Sequence, residues 1–371
     1  MTNKAINNKR ALVIGAGIHG SSVAIELARN NYVVNIIDAQ PGLLMGSSGA
    51  THNRVHLGYH YPRSMSTALE CKRGHEYFEK NFGATIQYPD FYYVIEKNGS
   101  KVSSQKYRQF VKKLGIEYRE SWPNKSFLHD RAIDASFKVK EGYFDILKLR
   151  EIISERFGDY GIKAHFNFPL SRTEYMNDGT LKLYSPENNI LEIKANVIVN
   201  ATYTNTNNIQ EMFGLKDNLT EYEFENTEVA VVGCDYTIPA LTVTDGPFIT
   251  VLPYGGHTGK YLVYDAIHSI SSRSYGIHYT PPKSKKSKWP LMLKHGLNYY
   301  PFFNDLNYHY SLWANRPIPL EKAAQNDDSR TTRIIKHNYP VSFYSILEGK
   351  LVSAPMIAED LVQRIENDEN V

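Results

Sequence analysis

The first forty residues alternate short apolar runs with a helical pattern. One apolar run ends at Ile14, a helix-like stretch follows, and a second apolar run, Val33–Ile37, ends at Asp38. Short apolar runs on either side of an amphipathic segment are typical of a strand, a helix and a second strand. The pattern therefore predicts a βαβ unit at the start of an α/β fold.

Later segments show both periodicities. Ile146, Leu149, Ile153 and Phe157 fall on one face of a predicted helix. Residues 227–238 and 246–269 are rich in Val, Ile, Tyr and Thr, and are separated by Gly, Asp and Pro, which predicts strands of a mixed sheet.

Composition narrows the class of protein. The 371 residues carry a formal net charge of only +3, which argues against nucleic-acid binding. A basic cluster at residues 283–288 is more typical of a solvated loop than of a segment that contacts phosphate or anionic lipid. No apolar stretch is long enough to span a membrane and no signal peptide is visible, so we expect a cytoplasmic protein without an integral membrane segment. The two cysteines cannot form a disulfide framework, and we expect no metal site.

Three glycines follow the first apolar run with the spacing of a dinucleotide-binding turn. Gly15 permits the tight turn, Gly17 allows close approach of a pyrophosphate, and Gly20 lets the helix pack closely on the strands. The positive end of the helix dipole attracts phosphate, and Asp38 is placed to accept a hydrogen bond from a ribose hydroxyl. The motif predicts a dinucleotide but leaves FAD and NAD as alternatives.

Four separated stretches resemble the D-amino-acid oxidase-like superfamily of FAD-dependent oxidoreductases. The first is the glycine motif with the strand ending at Asp38, and the third ends in Asn-Ala-Thr at residues 200–202. The fourth, residues 314–320 and 343–365, resembles the FAD-dependent glycerol-3-phosphate dehydrogenases. The second keeps the register of the L-2-hydroxyglutarate dehydrogenase group at Ser48, Gly49, Val55, His56, Gly58, Tyr61 and Pro62.

The resemblance implies that the cofactor is FAD, bound by a Rossmann-type domain interleaved with a mixed-sheet (α+β) substrate domain. The FAD-binding domain is expected at residues 9–82, 145–215 and 311–371, and the substrate domain at 83–144 and 216–310. The residues expected to bind FAD are Gly15, Gly17, Ile18, His19, Gly20, Asp38, Ala39, Ser47, Ser48, Gly49, Asn53, Pro169, Leu170, Asn200, Ala201, Thr202, Gly349, Lys350, Leu351 and Val352. A helix that begins after Gly349 and Lys350 could direct its amides at the flavin, where negative charge gathers on reduction.

Residues 46–64 hold the candidates for catalysis. His56 is the first candidate base, because the corresponding histidine of the family lies beside the flavin and histidine titrates near neutral pH. His52 and His60 are further candidates, and Tyr61 could donate a hydrogen bond to the substrate. The alternatives for His56 are a structural role or a flavin contact without proton transfer. Attachment of FAD through a histidine or cysteine, as in some relatives, stays open.

Two arginines are candidates for binding a substrate anion. Arg316 matches an arginine that precedes proline in the glycerol-3-phosphate dehydrogenase-like pattern, and its planar fork suits carboxylate or phosphate. Arg54 is the second candidate. It belongs to the triplet His52, Asn53 and Arg54, which replaces the small residues usual in the family. For each arginine the alternative is a structural ion pair.

The sequence thus predicts an enzyme that uses FAD to dehydrogenate a CH–OH carbon of a small, anionic or sugar-derived substrate. One alternative is an amine or amino-acid oxidase acting on CH–NH, and another is a protein that binds FAD without turnover. The 27 tyrosines against three tryptophans favour a polyol-like ligand, although tyrosine is also an ordinary strand residue. A small molecule is the expected partner, and the oligomeric state is unknown from the sequence.

Overall fold

The computed structural model describes residues 9–217, 219–324, 331–347 and 349–369. The helices of these residues are α1 Ile18–Arg29, α2 Met65–Phe82, α3 Ser104–Leu114, α4 Ile146–Asp159, α5 Thr206–Met212, α6 Trp289–Gly296, α7 Leu320–Ala324 and α8 Ala354–Glu369. The strands are β1 Arg10–Ile14, β2 Val33–Ile37, β3 Arg54–Val55, β4 Ile86–Gln87, β5 Phe91–Glu96, β6 Tyr118–Glu120, β7 Ile133–Val139, β8 Gly142–Phe144, β9 Lys163–His165, β10 Arg172–Tyr175, β11 Thr180–Tyr184, β12 Ile190–Lys194, β13 Val197–Asn200, β14 Tyr222–Gly233, β15 Ala240–Thr244, β16 Ile249–Pro253, β17 Lys260–Asp265, β18 Ile270–Gly276, β19 Asn307–Pro319, β20 Arg333–His337 and β21 Ser342–Leu347.

A six-stranded sheet carries the glycine turn. Its order is β20-β21-β13-β1-β2-β9, and all neighbours are parallel except β20 and β21. Apolar side chains of α1, α4 and α8 share one buried core with β1, β2 and β13, as parallel strands covered by helices require. The helix predicted at residues 146–157 is confirmed as α4, whose N-cap Asp145 accepts hydrogen bonds from the amides of Leu147 and Lys148.

A second, nine-stranded sheet is mixed. Eight strands follow the order β18-β14-β17-β16-β15-β5-β7-β6, and β19 pairs with β14 along almost its whole length. β5 and β15 are parallel, and the other neighbours are antiparallel. Together with the Rossmann-type six-stranded sheet, this mixed sheet confirms the predicted α/β fold class.

The two large sheets draw on different parts of the chain. All six strands of the first sheet come from the segments expected to bind FAD. β19 crosses the expected boundary at residue 311 without a break in its pairing. The last expected segment, 311–371, includes residues 325–330, 348, 370 and 371, which lie outside the described residues. The domain bounds stay a prediction.

Two small sheets complete the fold. β10, β11 and β12 form an antiparallel meander, and β3 and β4 flank β8 in a three-stranded sheet. The pairing of β3 with β8 brings Arg54 opposite Tyr143 and Val55 opposite Gly142. Arg54 and Val55 are thereby held against β8. Among the described helices, none combines the length and the apolar character needed to cross a membrane.

Candidate active site

The glycine motif forms the turn between β1 and α1. Gly15 has a φ of +103°, which a side chain would strain, and a Cβ there would lie 2.7 Å from the carbonyl oxygen of Ala201. A Cβ on Gly20 would lie 1.8 Å from the carbonyl oxygen of Gly15. Gly17 is the N-cap of α1 and brings no side chain to its first turn. Amides at such a helix start are suited to bind phosphate.

Other predicted cofactor residues lie around this turn. The Asp38 carboxylate accepts hydrogen bonds from the amides of Ala16, at 2.5 Å, and Gln40, at 2.7 Å. The amide of Phe168 donates to the carbonyl of Asp38, so Pro169 and Leu170 follow directly beside Asp38 and Ala39. The buried Asn200 accepts a hydrogen bond from the hydroxyl of Thr202, at 2.7 Å, and Ala201 donates to Ile14.

The serine-rich segment joins the glycine turn to the second sheet. The hydroxyl of Ser48 accepts a hydrogen bond from the amide of Ile18, at 3.0 Å, and Ser47 donates to the carbonyl of Asn315, at 3.1 Å. Ser47, Ser48 and Gly49 form one turn of 3₁₀ helix. The second predicted stretch therefore starts beside the first.

The C-terminal turn reaches the same place. A Cβ on Gly349 would lie 2.8 Å from Nε2 of His19, and His19 makes a hydrogen bond with the backbone of Lys350. Burial lowers the pKa of His19 to about 4, against the opposing effect of that hydrogen bond. Leu351 and Val352 follow in a 3₁₀ turn that leads into α8. The expected cofactor residues of all four stretches thus converge in space.

The predicted catalytic residues form one cluster of rings. The ring centroid of His56 lies 5.7 Å from that of His60 and 5.3 Å from that of Tyr61. His52 packs edge-on against Tyr264, at 4.6 Å between centroids. Nζ of Lys350 lies 4.5 Å from the centroid of Tyr61 and so connects the cluster to the C-terminal turn.

Two histidines of this cluster, His52 and His56, favour the neutral form. Burial lowers the pKa of His56 well below its ordinary value, and the charges of Arg54 and Lys350 act in the same direction. Burial likewise lowers the pKa of His52, with contributions from Arg54 and Arg316. A neutral imidazole has one nitrogen with a free lone pair, so each of these rings can accept a proton.

Arg54 lies beneath the histidines, with only 2% of its side chain exposed. Its guanidinium contacts four polar side-chain atoms: the hydroxyls of Tyr93, Thr242 and Thr250 and Nδ1 of His60, at 2.6–3.3 Å. It also lies over the ring of Phe91. These contacts favour the ion-pair alternative, with Glu141, over a direct contact with substrate.

Arg316 lies at the other end of the cluster and is 28% exposed. It pairs with Glu225, the residue opposite it on β14, which also binds Arg273 of β18 at 3.1 Å. The charge of Arg316 acts on His52 and on Tyr264. Arg316 is therefore the predicted anion-binding residue that remains accessible to a ligand.

Several residues of the site were not found from the sequence. Glu141, Tyr93, Glu225, Tyr264 and Phe248 come from strands or strand ends of the second sheet. Tyr264 and Phe248 carried a signal, as aromatic residues within the strand-like run 246–269. A lone Glu has no sequence pattern that distinguishes it from a surface residue.

The residues present fit FAD. Gly17 brings no side chain to the start of α1, and the first turn of this helix offers backbone amides to a phosphate. Nδ1 of His19 and Nδ2 of Asn53 are buried and make no hydrogen bond within the described part of the chain. Polar atoms of this kind are the partners that a large polar cofactor needs.

Comparison with known proteins gives the family and the fold. The family described as "DAO: FAD dependent oxidoreductase" matches residues 10–340. The "FAD-dependent monooxygenase kojA" of Aspergillus flavus is 26% identical over 181 residues, which are 46% of this chain and 40% of that protein. The "FAD-dependent monooxygenase FPY4" of Fusarium mangiferae is 24% identical over 139 residues, which are 37% of each. The chain thus spans less than half the length of these curated relatives.

Solved structures match almost the whole chain. An L-alpha-glycerophosphate oxidase from Mycoplasma pneumoniae, with FAD bound, has a TM-score of 0.73 at 17% identity and covers 96% of this chain and 94% of its own. A glycine oxidase from Geobacillus kaustophilus has a TM-score of 0.72 at 13% identity, with coverage of 96% and 95%. At these identities the likeness concerns the fold.

Proposed function

This chain belongs to the DAO family of FAD-dependent oxidoreductases, and from that premise we propose that it oxidises a CH–OH carbon of a small, anionic or sugar-derived molecule. FAD, when bound, supplies a two-electron oxidant that takes a hydride at N5. The residues of the chain must then bind the substrate, orient its carbon and accept the hydroxyl proton.

The position of His56, whose ring centroid lies 5.3 Å from that of Tyr61, is the observation that carries this proposal. An alcohol reaches the site with its proton, and the lone pair of a neutral imidazole can accept that proton. His56 lies beside Tyr61 and Lys350, next to the turn expected to face the flavin. Tyr61 is near enough to help orient a hydroxyl.

The surrounding charges favour an anionic alcohol over an amine. Arg54 and Lys350 act on His56, and Arg316 acts on His52. A carboxylate or phosphate would be attracted by these cations, while Glu141 and Glu225 offset part of the charge of the two arginines. We assign the anionic group of the substrate to Arg316, because its guanidinium is partly exposed and can form two parallel hydrogen bonds.

The pairing of Arg316 with Glu225 supports a second candidate function. Together the two side chains present both signs of charge, which would match the carboxylate and ammonium groups of an amino acid. This arrangement favours CH–NH oxidation as the alternative.

An anaerobic substrate screen tests both candidates. The purified yellow holoprotein is mixed with hydroxy acids, polyol phosphates and sugar acids, and separately with amines and amino acids, while the flavin absorbance is followed. Bleaching by an anionic alcohol is the expected result. Bleaching by amines alone would replace the first candidate with the second, and no bleaching by either panel would favour a protein without turnover.

A pair of variants then tests the anion site. We expect Arg316→Met to retain FAD and to lose roughly 30-fold to several thousand-fold in kcat/KM, since truncating one partner of a buried charged contact costs about 2–5 kcal/mol. Arg273→Met is the matched control, because Arg273 binds the same Glu225 but is 45% exposed. Unchanged kinetics of the Arg316 variant would remove this arginine from the site.

A further inference from the structure

Glu141 is a fully buried carboxylate between β7 and β8, directly behind His56. None of its surface is exposed. Its Oε1 accepts a hydrogen bond from the amide of Leu57, at 2.9 Å, and its Oε2 accepts one from the hydroxyl of Tyr93, at 2.5 Å. The pairing of β3 with β8 brings Leu57 next to Glu141, although more than eighty residues separate them in the sequence.

The direction of the hydrogen bonds fixes Glu141 as an acceptor. Nη1 of Arg54 donates to the Tyr93 hydroxyl, at 2.9 Å, and a guanidinium has no acceptor atom. The Tyr93 proton must therefore point to Glu141. Burial raises the pKa of Glu141, whereas the charge of Arg54 and the hydrogen bonds from Tyr93 and Leu57 lower it. Nε of Arg54 lies 3.8 Å from Oε2, and these contacts favour the ionised carboxylate.

Two buried nitrogens near this carboxylate make no hydrogen bond within the described residues. They are Nε of Arg54 and Nδ1 of His56, at 3.8 Å and 3.9 Å from the two oxygens of Glu141. A carboxylate offers roughly four lone-pair positions, and the two hydrogen bonds from Leu57 and Tyr93 use only two. The spare accepting capacity of Glu141 thus lies beside the unpaired nitrogen of His56.

Nδ1 of His56 lies 3.9 Å from the Glu141 carboxylate, and further titratable groups surround the same ring. Besides Glu141, the titratable or charged groups that face the ring are Arg54, Lys350, His52, His60 and Tyr61. A lone pair on Nδ1 would point its negative charge towards the carboxylate, whereas an N–H there would be attracted to it. Electrostatics therefore favours the tautomer protonated at Nδ1.

We propose that Glu141 is a positioning residue that holds the proton of His56 on Nδ1 and so leaves the lone pair on Nε2. The Nε2 atom is then the one that accepts the substrate proton, and Glu141 stabilises the imidazolium that results. This use of Nε2 rests on the proposed function, but the tautomer of His56 does not.

Nitrogen NMR of the oxidised, FAD-loaded protein with ¹⁵N-labelled histidine measures the tautomer without any substrate. His56→Asn identifies the His56 signals by their loss. We expect the Nδ1-protonated form to exceed the Nε2-protonated form by at least about tenfold, as a buried charge strengthens nearby dipole interactions. Equal populations, or an excess of the Nε2-protonated form, would overturn the proposal.

Glu141→Gln should bring the two tautomers roughly to parity, because the amide removes the negative charge while keeping the size of the side chain. Glu228→Gln is the matched control: Glu228 is equally buried but lies against Ser287 and Ser311, and its variant should leave the His56 ratio unchanged. A ratio unaffected by Glu141→Gln would contradict the assignment. If that variant does not fold, the wild-type measurement still decides.

The two proposals fail separately. A substrate screen without bleaching would end the proposed activity and leave the tautomer measurement intact. An Nε2-protonated His56 would end the role of Glu141 and leave the substrate screen intact.

Discussion

Glu141 and Glu228 are two of the carboxylates that the described residues bury completely, and their surroundings differ. Glu141 lies with Arg54 and Tyr93 behind the histidines, a group that we call the Glu141 cluster. Glu228 of β14 accepts hydrogen bonds from the hydroxyls of Ser287 and Ser311 and from the amide of Lys288; we call these residues the Glu228 cluster. Both carboxylates are 0% exposed.

The difference lies in what each cluster leaves unpaired. The Glu228 cluster ties the basic segment at residues 283–288 to β14 and β19 through neutral donors, with hydrogen bonds to both carboxylate oxygens. The Glu141 cluster contains a full positive charge, and two buried nitrogens beside its carboxylate, Nε of Arg54 and Nδ1 of His56, make no hydrogen bond to the part of the chain that the structure describes. Unpaired buried groups reduce stability, so their position next to candidate catalytic rings points to a functional use.

Removing the positive charge of the Glu141 cluster should produce the largest effect. Arg54→Met leaves Glu141 buried without its cation, and we expect the free energy of unfolding to fall by about 3–5 kcal/mol. Denaturant unfolding measures this loss. The control is Arg108→Met, whose exposed pair with Glu120 should contribute at most about 1 kcal/mol. Similar losses in both variants would mean that the Arg54 charge does not offset the cost of burying the Glu141 carboxylate.

A smaller loss is expected from the Glu228 cluster. Glu228→Gln presents a donor to groups that already donate, which should lower the free energy of unfolding by about 1–3 kcal/mol. The rate of flavin bleaching should stay at the wild-type value, because this cluster does not contact the histidines. Slower bleaching in a folded Glu228→Gln protein would remove the functional distinction between the clusters.

Protonation of His56, which lies beside Glu141, should contribute to the dependence of protein stability on pH. The pKa of His56 is lowered in the folded state from 6.5, so at lower pH the unfolded chain binds a proton that the folded chain does not. The free energy of unfolding should therefore decrease as the pH falls below about 6.5, by up to about 1.4 kcal/mol per pH unit for this histidine. His56→Asn should weaken this dependence of the free energy of unfolding on pH, and Glu228→Gln should not. Denaturant midpoints measured across this pH range test the difference. Equal pH dependence in wild type and His56→Asn would contradict the prediction.

Local patterns were sufficient for the architecture. The glycine spacing before α1 and the apolar runs of β1 and β2 predicted the Rossmann-type unit, because the turn can form only where Gly15 and Gly20 bring no side chain. The resemblance of four stretches added FAD and the order of the segments. These features depend on neighbours in sequence or on spacing, which a single sequence displays directly.

Such patterns could not predict which side chains contact each other inside the site. Arg54 could be seen as a cation and Arg316 as an anion-binding candidate, but nothing in the sequence linked them to Glu141 and Glu225. The pairing of β3 with β8 brings Arg54 to Glu141, and the register of β14 with β19 places Glu225 opposite Arg316. Both contacts join residues more than eighty positions apart.

By itself the sequence determined the dinucleotide turn, the fold class and which side chains carry candidate chemistry, because these follow from local conformation and periodicity. The tertiary structure alone decided which arginine is enclosed and which remains accessible. Burial and charge compensation depend on strand pairing across the chain. That pairing holds Arg54 behind the histidines with Glu141 and leaves Arg316 at the edge of the cluster with Glu225.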